Sequence, residues 1–127
     1  MAQYLYSVAS EYQAAGSLTV NNATAPFFAY YAPTAGLKSK TYSSNTKEFS
    51  SVIASLKGWG DAYIRRIKYH TPASGNLAEE FNRNNGIAQG AADLTWSYAS
   101  LLTAAFARAA LSGDGTYVQK VAALAYD

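Results

Sequence analysis

The stretch Asp93–Ala107, DLTWSYASLLTAAFA, reads as a helix with apolar surface on more than one side. Leu94, Tyr98, Leu101, Ala105 and Ala109 recur at spacings that place them on one broad face, and Thr95, Trp96, Leu102 and Phe106 extend it. The pattern predicts a helix from about Ala92–Leu94 to about Leu111. A helix this apolar on neighbouring faces is expected to lie buried between partners. Asp93, at its start, suits helix capping or a favourable interaction with the positive end of the helix dipole.

Two more helices precede it. Leu5, Val8, Ala9 and Tyr12 mark one over Ala2–Gln13, with Gly16 as its stop. The other begins near Asn45-Thr46-Lys47-Glu48, where Asn45 and Glu48 are placed as in a capping box, and ends before Pro72. Val52, Leu56, Trp59, Tyr63 and Ile67 form its apolar stripe, widened by Ile53 and Ile64. Gly58 and Gly60 lower its helical propensity but permit a close crossing against another helix. A shorter pattern through Val118, Val121 and Leu124 predicts a terminal helix over Thr116–Ala125.

The connections are long, about 30 residues from Gln13 to Asn45 and about 20 from His70 to Ala92, where packed helices are usually joined by fewer. In the first, Leu18–Val20 is too short to carry a sheet alone, and Pro26 and Pro33 argue against a regular helix. Phe27, Phe28, Tyr30 and Tyr31 are expected to anchor a packed loop or to form a ligand-stacking surface. The resulting picture is an all-α chain whose loops build a functional face.

A 127-residue chain that is 50% hydrophobic can bury one core. Its ten basic and eight acidic side chains give a formal charge of +2, which supplies no field for nucleic acid or an anionic membrane. Arg65, Arg66 and Lys68 form one basic cluster, read as a solvated helix face or helix end. The absence of cysteine rules out disulfides and thiol chemistry. No run approaches the roughly 20 apolar residues a membrane span requires, and Met1–Gln13 lacks the form of a signal peptide. Eleven tyrosines suit either a polar-ligand surface or wet packing.

Chemistry concentrates in Gly75–Ser97, GNLAEEFNRNNGIAQGAADLTWS. Glu79 and Glu80 are the candidates for acid or base work, with Asp93 next. Adjacent glutamates point in different directions, so they do not supply the two facing carboxyls of a glycoside hydrolase. Phe81 and Trp96 could enclose a sugar face or pack in the core. Asn82, Asn84, Asn85 and Gln89 offer amides, although Asn84-Asn85-Gly86 is also a turn signal. His70, the single histidine, reads as structural or solvent-facing, and no ligand-rich cluster predicts a metal. Asn22-Ala23-Thr24 is an N-glycosylation acceptor pattern, relevant to a secretory route.

The combination of Gly75–Phe81, Asn84-Asn85-Gly86 and Asp93–Ala99 resembles the fungal glucoamylases of glycoside hydrolase family 15, with Asp93–Ala107 as the most specific part. Ala2–Val20 looks like that family's helix entering a Gly-Ser-Leu turn, and Pro26–Lys68 has its Phe-Phe, Thr-Tyr-Ser-Ser and long-helix order. The resemblance covers Ala2–Arg108 and implies that residues 1–127 are the C-terminal portion of a catalytic domain, late helices of an (α/α)6 barrel. It implies an inverting, exo-acting glucan 1,4-alpha-glucosidase, secreted, releasing glucose from the non-reducing ends of starch and maltooligosaccharides without a cofactor.

The family's Ser-Glu-Gln-Tyr or Ala-Glu-Gln-Phe motif carries the general base at its glutamate, which falls on Glu79. The resemblance places the general acid in an earlier region, so a complementary N-terminal portion is the implied partner and the isolated chain is expected to be inactive. Glu80 stands where the family often has glutamine, Phe81 where some relatives have tyrosine, and Gly90 and Ala92 where serine and arginine are common. These departures also fit an inactive saccharide-binding or structural module on the same scaffold.

Overall fold

A computed structural model describes residues 1–113, so the helix expected over Thr116–Ala125 lies outside the described residues. Helix α1 spans Ala2–Ala15 and ends at Gly16. Strand β1, Ser17–Thr19, follows, then helix α2, Ala25–Tyr31, and strand β2, Thr41–Ser43. The long helix α3 covers Lys47–His70. Strands β3, Glu80–Phe81, and β4, Ala88–Gln89, precede helix α4, Thr95–Leu111.

The central packing sets α1 against both α3 and α4. Leu5, Tyr6 and Ala9 on α1 and Val52 and Leu56 on α3 have no solvent exposure, as expected of side chains three and four residues apart on facing helices. A Cβ built on Gly60 would lie 2.4 Å from Cε1 of Tyr6. The glycine therefore lets α3 approach the tyrosine ring, as the close-crossing reading anticipated. Gly58 has open space around it and contributes nothing to that crossing.

The tyrosine hydroxyl donates to Oδ1 of Asp61 at 2.7 Å. Arg108 on α4 donates to both oxygens of that carboxylate, at 2.7 and 3.2 Å, and Lys57 lies 3.7 Å away. One carboxylate thus joins α1, α3 and α4. The Arg108 hydrogen bond draws the Asp61 carboxyl down from 3.8 to about 2, against the opposing effect of burial and with help from the Tyr6 hydroxyl. Burial, reinforced by Asp61, raises the Tyr6 phenol.

Two local readings change. Pro26 does not prevent a helix; it occupies the first turn of α2, where its missing N–H has no intrahelical partner to lose and its fixed φ suits the start. The cap of α3 is Thr46 and not Asn45: Thr46 Oγ1 accepts from the Phe49 N–H at 3.3 Å, while the Asn45 side chain accepts from Ser43. Of Leu18–Val20, Leu18 and Thr19 lie in the two-stranded ladder that β1 forms with β2, with Leu18 opposite Tyr42 and both buried. Phe28 is buried, with Phe27 edge-on and Tyr12 beside it. Tyr30 is exposed and stacks on Trp59. The first long connection thus contains a helix and a strand pairing, and Asn22 sits exposed in the turn between β1 and α2.

Candidate active site

The second connection is a hairpin mounted on the start of α4. The Leu94 N–H donates to the Leu77 carbonyl at 2.9 Å, and the Leu77 N–H donates to the Tyr98 hydroxyl at 3.1 Å. Ser97 Oγ donates to the Ala78 carbonyl at 2.9 Å. Leu77 and Ala78 are buried by these contacts, so the backbone entering Glu79 is fixed to the first turn of the helix. The Tyr98 hydroxyl in turn donates to Asp93, the chief cause of that phenol's raised pKa. Asp93 therefore organises the helix entry through Tyr98; it is not the side-chain cap, since the N-cap position is Leu94.

Glu79 opens the hairpin. Its N–H donates to the Ala91 carbonyl at 2.9 Å, and the Ala91 N–H donates to Glu79 Oε2 at 3.1 Å. One residue thus holds both the backbone and the carboxylate of Glu79. A Cβ on Gly90, whose φ is +71°, would lie 2.4 Å from Oε2 and 2.9 Å from Cβ of Glu79. The carboxylate occupies the space a side chain at position 90 would need. Glu80 pairs with Gln89 and Phe81 with Ala88. The Asn82 side chain accepts from the Asn84 and Asn85 N–H groups, and that of Asn85 from the Ile87 N–H, so those two amides build the turn.

Glu79 and Glu80 line an open groove of about 470 Å3 between the C-terminal half of α3, the start of α4 and the first residues of α1. Phe81 and Trp96 share this lining, as do Arg66 and Gln3. Trp96 is 74% exposed, which places its ring at the groove and out of the core. Phe81 is half-buried with its ring 5.3 Å from that of His70. Asp93 is not part of the groove lining. Arg66 was legible only as one of a basic cluster, and Gln3 carried no local signal because its place depends on how α1 packs.

Chemically, the groove presents an accessible carboxylate in a fixed backbone setting beside an exposed indole. That combination suits activation of a water next to a polar ring, with the indole available for stacking. A glycosidic bond also requires an acid on its other side. No helix among the described residues is long and apolar enough to cross a membrane.

The family model for glycosyl hydrolases family 15 matches residues 1–106. A glucoamylase from Blastobotrys adeninivorans is 48% identical over 125 residues, covering 98% of this chain and 20% of the relative. Glucoamylase-1 of Arthroderma benhamiae is 39% identical over 102 residues, 80% of this chain and 16% of that protein. Among solved structures, the family 15 glucoamylase from Hypocrea jecorina superposes with a TM-score of 0.79 at 37% identity, covering 87% of this chain and 18% of its own. The chain spans about a fifth of the length of the first of these relatives. Its helices take the arrangement of part of the (α/α)6 barrel of those glucoamylases. From the family match and the superposition together, the chain belongs to glycosyl hydrolases family 15.

Proposed function

We propose that this chain forms the late part of the catalytic domain of a secreted, inverting glucoamylase that releases glucose from the non-reducing ends of starch and maltooligosaccharides. Glu79 is the general base. The observation that carries this reading is the placement of its carboxylate on the groove, held by the Ala91 N–H, in a chain of family 15. A carboxylate so held keeps an oxygen available to orient water and accept its proton as the anomeric carbon is attacked. The general acid comes from the earlier portion of the domain and protonates the departing glycosidic oxygen, which completes the two-carboxyl requirement.

Attack by water from the face opposite the leaving group inverts the anomeric centre. In maltose hydrolysis the glucose from the non-reducing end is therefore released as the β-anomer, beside a reducing-end glucose that keeps the anomeric mixture it had in maltose, and proton NMR before mutarotation reads the excess of β-glucose. Maltose incubated with the 127-residue chain alone stays intact, and the same chain joined to the earlier portion of a family 15 catalytic domain hydrolyses it. Turnover by the isolated chain would break the claim that the acid lies elsewhere. Initial α-glucose in excess of the reducing-end α-anomer already present in maltose would break the inverting assignment.

A further inference from the structure

The hairpin that carries Glu79 is fixed at both ends, and the second fixation comes from a residue that the chemistry above does not use. Near its base, Leu77 and Ala78 are tied to α4 by the Leu94, Tyr98 and Ser97 hydrogen bonds. Its far end is the turn Asn82–Gly86, closed by a 2.7 Å bond from the Gly86 N–H to the Asn82 carbonyl. This turn meets α3 at His70. A Cβ on Gly86 would fall 2.1 Å from Cε1 and 2.6 Å from Nδ1 of the imidazole, so the ring lies directly on the glycine backbone. The same ring is tilted against Phe81 at 5.3 Å and meets the edge of Tyr69 at 5.0 Å.

Gly86 has φ +72°. Glycine there meets two demands at once, a left-handed turn and contact with a flat ring. Phe81 lies two residues from Glu79 along the hairpin, so a ring that fixes Phe81 and Gly86 limits how far the carboxylate can tilt relative to the groove. Resting on the reading of Glu79 as the base, we propose that His70 is a positioning residue for that base, acting as a plate on which the turn Asn82–Gly86 and Phe81 rest. The role is one of shape: the imidazole fills the space between the end of α3 and the hairpin, and no proton transfer is assigned to it.

The consequence is specific. A base displaced by a fraction of an ångström still leaves the sugar-binding groove intact, but it orients water poorly in the transition state. In the complete enzyme, His70→Ala lowers kcat by roughly tenfold to a hundredfold with KM little changed, and His70→Phe, which restores a flat ring, recovers most of the loss. Gly86→Ala, which pushes on the same ring from the other side, lowers kcat as well. Its effect shrinks when His70→Ala is already present, because the ring it collides with is gone.

Amide hydrogen exchange supplies the readout that does not depend on catalysis. His70→Ala accelerates exchange at the hydrogen-bonded N–H groups of Glu79, Asn82 and Ala91 relative to those of α1. Unchanged exchange at these amides in a folded His70→Ala protein would overturn the proposal. So would faster exchange with unaltered kcat in an enzyme that Glu79→Gln inactivates, or a loss confined to KM. An enzyme that keeps full activity with Glu79→Gln would break the base assignment and the positioning role with it, while the exchange result would still decide whether His70 holds the hairpin.

Discussion

At the scale of single residues, the Glu79 carboxylate is defined by what surrounds it. The Ala91 N–H donates to it at 3.1 Å, and the absent side chain of Gly90 leaves it room. Gly90→Ala therefore introduces two conflicts, a Cβ in the space of the carboxylate and a non-glycine residue at φ +71°. The expected result is a stability loss of about 1–2 kcal/mol by chemical denaturation, with lower turnover in the complete enzyme. An unchanged unfolding midpoint would show that the carboxylate has another place to go. Glu79 was one of two candidate carboxylates in the local sequence, and only the resemblance to the family's motif singled it out from Glu80. Ala91 was not legible, because a backbone donor has no side-chain signature and its reach to Glu79 depends on the register of a hairpin. Asp93 was read from its place near a helix start, whereas its partner, the Tyr98 hydroxyl, depends on how the chain enters that helix.

At the scale of elements, periodicity gave the three long helices with ends close to those observed, since spacing of apolar residues survives any detail of packing. The interiors of the connections were less legible. Pro26 can forbid a helix or begin one, and only the residues that receive α2 decide between them. The cap of α3 moved by one residue because Thr46 and Asn45 both have capping side chains. Thr46→Ala is expected to cost about 1 kcal/mol, measured by thermal or chemical unfolding, while Asn45→Ala costs less.

The three-helix junction at Asp61 left no local signal, as Tyr6, Asp61 and Arg108 meet only through tertiary packing. Its carboxyl titrates at about 2 in the fold against an ordinary value of 3.8, so below the ordinary value the unfolded chain binds the extra proton first. The junction's contribution is complete above that value and fades as pH falls through about 2. Asp61→Asn should destabilise the fold at neutral pH by about 2 kcal/mol and flatten the dependence of stability on acid pH. A variant whose acid unfolding profile parallels the parent's would remove Asp61 from that role.

At the scale of the whole molecule, the apolar surface of α4 foreseen from its sequence is largely uncovered within the described residues. Leu102 is 53% exposed and Trp96 74%, and Ile87 on the hairpin is 64% exposed. Surface of this kind suits contact with further protein, in keeping with a chain that spans about a fifth of its relative. The isolated chain is expected to bind a hydrophobic dye, and joining it to the earlier portion of the catalytic domain is expected to abolish most of that signal. In the function proposed above, Glu79 is one half of an acid–base site whose other half lies in that earlier portion. The most direct test of that role is kcat for maltose hydrolysis by the complete enzyme before and after Glu79→Gln: a general base at Glu79 predicts a fall of roughly 10² to 10⁴ with the fold retained, and turnover at the parent rate would contradict it.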